Sequence, residues 1–600
     1  MFLARALSLT ALVIFSCAHL IRSDELNNYD GSHFDFVVLG GGTAGLVVAS
    51  RLSEDPSITV AVIEAGTFEK NNPNVTNTTI NGLGKNTRVD WQYRTAPQIY
   101  AANETIIYSA GKGVGGSSLI NGMTYMRPAS SQMNLWPSLG LEINWDILFN
   151  YSKKGENFSP PGPKLTPLGA DYVPSDHGYS GPLTTCISPH ITSTDIHNTF
   201  NTTFKTLGIG PRYEFNGGDL LGFGIQMCTQ NERLDIREDA AQAYYYPFMD
   251  RKNLVMIVNA TATRIEWADD SQGSEVVASA ARIVDQQGKT STLFADREII
   301  LSMGAMRSPG ILEYSGVGNP SILSQHGIDV KVNLSAVGEN LQDQTTMAIT
   351  GLVVGENTTG FLPFVSHASL QDLFGANTTA VYEAARAKLP EYAATIAAQN
   401  GGSSSAIIQE QLLRTQLELL FASNTPTSEI VPAAISNFIG AVFWPLQPFS
   451  RGSVHINGTD ETAQPYIDPR FFQIDFDGQV SVATAKWARN FLITEPVASL
   501  VNQSTISPSF EAIPEDASDD LWLDWVKTKS NFQPNYHHLG TCAMLPRASG
   551  GVVDNDFRVY GTRNVRVVDL SVLPLQVAGH SMAMLYGVAE WASEKIKASL

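Results

Sequence analysis

Three of the eleven histidines fall in one C-terminal stretch: His537 and His538 side by side, and His580 a further 43 residues beyond the first. A neutral imidazole has its pKa near ordinary working pH and is a natural acceptor for a hydroxyl proton. Adjacent side chains in an extended or turn segment point to opposite sides, so only one of His537 and His538 can readily face a given ligand. Near the other end of the chain Gly40, Gly42 and Gly45 satisfy G-x-G-x-x-G, and Glu64 follows 24 residues after Gly40. Such a turn brings backbone close to a pyrophosphate at a helix N-terminus, and an acid at that spacing accepts hydrogen bonds from an adenosine ribose. A carboxylate there disfavours a 2′-phosphate, so the ligand is NAD or FAD. No G-x-S-x-G elbow is present, and the remaining histidines and cysteines form no spaced cluster of zinc type, so neither a hydrolase nor a metal site is expected.

The elements that must hold these residues are legible around the glycine turn. An apolar run from Phe34 to Leu39, an apolar-periodic helix from Ala44 to Leu52 and a second apolar run from Val60 to Ile63 make a β-α-β unit. The run EIILS (Glu298 to Ser302) reads as the return of the chain to that sheet. Gly111 to Arg127 and Gly304 to Gly318 concentrate glycines, so their backbone can lie flat against a ligand. Apolar residues at spacings of three and four predict a helix from Gln411 to Phe421. GGSSS (Gly401 to Ser405) reads as a connector, an ordinary surface loop in preference to a hinge.

These segments, together with Asn531 to Glu590, NGGDLLGF (Asn216 to Phe223), REDAAQAYYYPFMDRKNL (Arg237 to Leu254) and VGENLQDQ (Val337 to Gln344), resemble the glucose-methanol-choline (GMC) flavoenzymes, in particular the glucose oxidase and FAD-glucose dehydrogenase branch. The resemblance covers nearly the whole mature chain. It implies an α/β fold in which a Rossmann-like FAD domain (27–130, 210–345 and 531–598) is interleaved with an α+β substrate domain (131–209 and 346–530). It also implies hydride transfer from an alcohol carbon to FAD, with oxygen or a quinone as electron acceptor and a homodimer left open. By matching motifs, Thr43, Ala44, Glu64 and Ala65 line the ADP half, and Asn121, Gly122, Met123 and Thr124 the pyrophosphate and flavin. Asp569, Leu570, Ser581 and Met582 complete that site. His537, in the motif Asn535, Tyr536, His537, Gly540, is the implied proton acceptor, and His580 hydrogen-bonds the substrate oxygen. His538 is expected at the surface or in a supporting place.

Two departures from the sugar enzymes stand out. Where glucose-specific relatives place an arginine against sugar hydroxyls this chain has Gln533, and where they place an aromatic residue it has Asn81. A guanidinium is a fixed fork of donors, whereas an amide carries donors and an acceptor on a shorter stem, so the first exchange is not conservative. Glu429 and Trp444 resemble retained residues of the substrate-domain wall. The expected substrate is therefore a small secondary-metabolite alcohol rather than glucose, as for family members such as patulin synthase. A sugar enzyme, and a ring-closing member of the versicolorin B synthase kind, are the alternatives.

Composition limits the setting. The 600 residues carry Lys+Arg 39 against Asp+Glu 58, a formal net charge of −19, with only 16% charged residues. Such a chain is a poor nucleic-acid binder and too apolar for disorder. Residues 1–23 have the basic start, apolar run and small residues of a secretory signal, and no later stretch is long and apolar enough to span a bilayer. Twelve N-x-S/T sequons fit an exported glycoprotein. Export would allow Cys186 to pair with Cys228 and leave Cys542 alone; three buried thiols are the other reading.

Overall fold

In a computed structural model the protein is described at residues 26, 28–80, 82–191, 194–268, 275–355, 363–422, 425–435 and 437–600. The expected signal segment and Asn81 lie outside the described residues. The first apolar run forms β1 (His33–Leu39), followed by α1 (Thr43–Leu52) and β2 (Val60–Glu64). Continuous apolar runs suit a parallel sheet covered on both faces. The sheet continues with β3 (Leu254–Val258), β4 (Ala260–Trp267), β5 (Ala278–Asp285), β6 (Thr290–Leu301) and β7 (Val565–Val567). Its order is β3-β2-β1-β6-β5-β4, with β7 also on β6. Strands β3, β2, β1, β6 and β7 run parallel, while β4, β5 and β6 form an antiparallel meander. The twelve-residue β6 serves both arrangements along one edge, because Thr290 to Phe294 pair with β5 and Ile299 to Leu301 with β7.

A second, six-stranded antiparallel sheet has the order Phe532–Pro534, Thr345–Leu352, Phe438–Pro445, Ser428–Ile435, Phe364–Ala368, Gly222–Ile225. The helix Asp475–Ile493 packs on it. Gly222–Ile225 and Phe532–Pro534 thus belong to this sheet although they fall in the stretches 210–345 and 531–598. The chain crosses between sheets inside those stretches rather than at their ends.

The helix expected at Gln411 to Phe421 spans Ala406–Ala422. The connector before it is tied down: Asn319 Nδ2 donates to the Gly401 carbonyl at 2.8 Å and Asn400 Nδ2 to that of Ser404 at 2.9 Å. Cys186 and Cys228 face each other across paired strands with their sulfurs 3.9 Å apart, but both are thiols, as is Cys542, and all three are buried. The expected disulfide is therefore absent, since 3.9 Å is contact between sulfurs rather than a bond. The last helix, α2 (Ser581–Ala598), lies against α1, where its buried Glu590 takes Arg51 Nη2 at 2.7 Å and the Tyr244 hydroxyl at 3.0 Å. Among the described residues no helix is long and apolar enough to cross a membrane.

Candidate active site

The glycine turn closes because of what a side chain would strike. Gly40 has φ +105°, and a Cβ there would lie 2.3 Å from the Ser302 carbonyl oxygen at the end of β6. A Cβ on Gly45 would lie 2.0 Å from the Gly40 oxygen, so only glycine lets α1 start this close to the strand ends. Above the turn lies a cavity whose wall includes Gly40, Gly42, Thr43, Ala44, Glu64, Ala65, Asp569 and Leu570. Gly45 sits behind that wall. The Glu64 carboxylate accepts from Gly66 N at 2.8 Å and Gly41 N at 3.0 Å, while burial pushes its pKa up to about 7. Asp569 Oδ2 takes the Ser308 hydroxyl at 2.6 Å and Gly304 N at 3.0 Å, joining β7 to the segment after β6.

The remaining cofactor candidates form a cluster of their own. Asn121 Oδ1 accepts from the buried Arg237 at 2.8 Å, and Asn121 Nδ2 donates to Met582 Sδ at 2.8 Å, which ties the Gly111–Arg127 loop to the start of α2. Gly122 is exposed. Met123 is buried in the left-handed region (φ +63°), its carbonyl taking Thr229 N at 2.9 Å, and Thr124 pairs with Cys228. Ser581 opens α2 after His580 as N-cap.

Of the two places expected for His538, the structure removes the surface one. The residue is buried and lines the cavity, against the Tyr108 ring with centroids 5.3 Å apart. The two neighbouring histidines do point apart, but the far side of the backbone is the cavity and not the surface. Its Nδ1 is buried without a partner, and burial brings its pKa down to about 4. A cradle of glycine backbone, a ribose acid and an orphaned ring nitrogen in one wall fit a dinucleotide with an aromatic ring system. Trp91, Tyr93 and the 303–307 segment also line it. No motif had singled out the two aromatic residues, which reach the cavity only through the fold.

On the other face, strand Phe532–Pro534 pairs with Thr345–Met347, and the turn after it carries the histidine. Asp343 fixes that turn: its carboxylate accepts His537 N at 2.9 Å, Tyr536 N at 3.1 Å and the Tyr108 hydroxyl. Gln344 Nε2 donates to the Leu446 carbonyl at 2.9 Å, so its Oε1 is the atom turned to His537 Nδ1, 2.8 Å away. Asn535 Nδ2 also donates to that Oε1 at 2.9 Å, and its own Oδ1 takes the Thr346 hydroxyl at 2.9 Å. Nδ1 of His537 also lies 3.0 Å from Asn535 Nδ2, but that amide already donates to the Gln344 oxygen; the shorter contact, to an oxygen that only accepts, favours the proton on Nδ1 and a lone pair on Nε2.

His580 completes a pair with His537, ring centroids 5.2 Å apart at 76°. Its Nε2 is 2.8 Å from Glu429 Oε1, and Glu429 Oε2 is 3.3 Å from His367 Nε2. Glu429 stands directly opposite Trp444 in the second sheet, and the Trp444 ring lies 6.1 Å from that of His580. Burial would raise the Glu429 pKa, but the flanking imidazoles outweigh it and hold the carboxyl below the usual range. Burial, aided by His580, brings His537 down to about 3, so its ring is neutral at ordinary pH. Glu429, Trp444 and Asn535 are thus gathered around the histidines, whereas Gln533, two residues before Asn535, is exposed. Sequence reasoning missed Asp343, Gln344 and His367. The first two stand in the quoted VGENLQDQ segment, and nothing local marks the third.

A parallel sheet with a dinucleotide cavity lined by His538, and a pair formed by the adjacent His537 with His580 at the head of the last helix, suit a flavin-type oxidoreductase. The GMC oxidoreductase profiles match residues 34–346 and 448–589. The chain is 39% identical to the glucose oxidase-like protein fsoC of Humicola fuscoatra over 98% of both chains. It is 32% identical to a glucose oxidase of Aspergillus carbonarius over 95% of this chain and 93% of that one. A solved fungal aryl-alcohol oxidase superposes with a TM-score of 0.83 at 26% identity, covering 95% of this chain and 99% of the other. An FAD-dependent oxidoreductase from Chaetomium thermophilum, similar in fold, gives 0.84 at 24%, covering 94% and 99%. The chain belongs to the GMC oxidoreductase family; its cofactor is FAD and its donors are CH–OH groups.

Proposed function

We propose that this protein oxidises a small secondary-metabolite alcohol, with His537 as the proton acceptor. The observation that supports the reading is the setting of His537: its Nδ1 lies 2.8 Å from the Gln344 oxygen, which favours a proton there, and its ring stands 5.2 Å from that of His580. FAD supplies the acceptor for the hydride. His537 Nε2 takes the hydroxyl proton as the C–H bond breaks, and the buried Glu429 carboxylate stabilises the imidazolium that forms. His580, held by Glu429, orients the substrate oxygen. Gln533 in place of an arginine supports a substrate other than glucose, although relatives at 32% identity are named glucose oxidases. The signal-like start and the exposed or half-buried state of every described sequon asparagine support a secreted glycoprotein.

Anaerobic mixing with sugars, aryl alcohols and lactone alcohols tests the reading. Bleaching of the oxidised flavin by a non-sugar alcohol, slowed on the order of a hundredfold in His537→Ala at unchanged flavin content, is the expected result. Product formed without bleaching would indicate ring closure instead. Bleaching by glucose alone would return the chain to the sugar enzymes.

A further inference from the structure

One cation against Tyr536, the residue before His537, is not used by this chemistry. Lys85 stands on a turn built to hold it. Gly84 fits against Ile120, whose Cγ2 would lie 2.5 Å from an added Cβ, and the Thr87 hydroxyl donates to the Gly84 carbonyl at 2.7 Å. Asn86 takes a left-handed φ of +58° and gives its N–H to Asp90 Oδ2 at 2.9 Å. From this turn the half-buried Lys85 ammonium reaches over the Tyr536 ring, 3.9 Å from its centroid. Tyr536 is itself left-handed (φ +62°), an uncommon state for an aromatic residue, and Asp343 holds its N–H there. It directly precedes His537, and the Lys85 charge reaches His537 and disfavours its protonation.

Among the described residues the Lys85 ammonium has no hydrogen-bond acceptor and no ion pair. Asp90, the carboxylate whose charge acts on Lys85, has both oxygens engaged by Asn86 N, Gln92 N, Ala110 N and the Ser109 hydroxyl. Nor does Lys85 line the dinucleotide cavity. A partly desolvated ammonium with three donors and only an aromatic face against it still lacks its strongest partner, an anion.

Resting on the alcohol-oxidation reading, we propose that Lys85 anchors a carboxylate carried by the alcohol substrate. The anion meets the ammonium at Tyr536 while the carbinol lies between His537 and His580. Gln533, which lacks the fork an uncharged polyol would use, and Lys85, a point charge, together shift recognition from hydroxyl groups to an anionic group.

Calorimetry on the holoenzyme at pH 7 with 4-(hydroxymethyl)benzoate and its uncharged analogue 4-methylbenzyl alcohol tests this. The carboxylate should bind on the order of tenfold more tightly. That preference should vanish in Lys85→Met, which keeps the aliphatic stem and the flavin content, and survive in Lys85→Arg. Equal affinities in the native protein, undetectable binding of the carboxylate, or a preference that persists in Lys85→Met would each overturn the assignment. Flavin that stays oxidised while the carboxylate binds through Lys85 would overturn the oxidation reading and leave the anion site standing.

Discussion

At the scale of single residues, the proposed chemistry turns on which nitrogen of His537 bears the proton, and the Leu446 carbonyl bears on that choice by orienting Gln344. Gln344→Leu should keep FAD bound and slow flavin reduction by a factor of about ten to a hundred, since a free ring can adopt the unproductive tautomer; stopped-flow absorbance is the measurement. A second expectation concerns pH. A base must be neutral to act, and burial lowers His537 to about 3. The acid limb of flavin reduction should therefore fall below about pH 5, not near the 6.5 of an unburied imidazole. The motif around His537 and the resemblance at Glu429 and Trp444 made most of this site legible. Gln344 was not legible as a partner, because its function depends on a carbonyl 102 residues away. His538 was left between the surface and a supporting place for a related reason: alternation tells which side a ring takes, not what occupies that side.

At the scale of elements, a buried clamp fastens the segment following β6 to the second region of the chain. His455 on strand Gly452–His455 lies 2.7 Å from Glu313 of helix Ser308–Tyr314 and 3.1 Å from Glu339. Burial would lower the imidazole pKa, but the two carboxylates prevail and raise it to about 10. A folded pKa above the unfolded one means that this stabilisation is complete below about pH 6.5 and is lost as pH rises toward 10. His455→Gln should cost about 3 kcal/mol near pH 6, with a difference from the native protein that narrows by pH 10; thermal unfolding across that range is the check. The β-α-β unit was readable because its apolar runs are local and bounded by glycine. The six-stranded sheet was not, because its edge strands come from Gly222–Ile225 and Phe532–Pro534, which are distant in sequence and short.

For the whole molecule, the proposed glycosylation bears on how its charge keeps it dispersed. The pI is about 5.0, so near that pH net repulsion vanishes and glycans would carry the burden of solubility. Protein secreted from a eukaryotic host should stay dispersed at pH 5 and aggregate there after enzymatic deglycosylation, as light scattering would show. The position of β7 and α2 has a different consequence, one of timing. The sheet that begins with β1 gains β7 from residues 565–567, and His580 caps the final helix. At a synthesis rate of about 5–20 residues per second, on the order of half a minute to two minutes separates the emergence of the glycine turn from that of its closing wall. From about the middle of that interval the nascent chain also exposes the Ile299–Leu301 edge beside a half-built cradle, so the cofactor can be enclosed only once residues 565–580 have emerged.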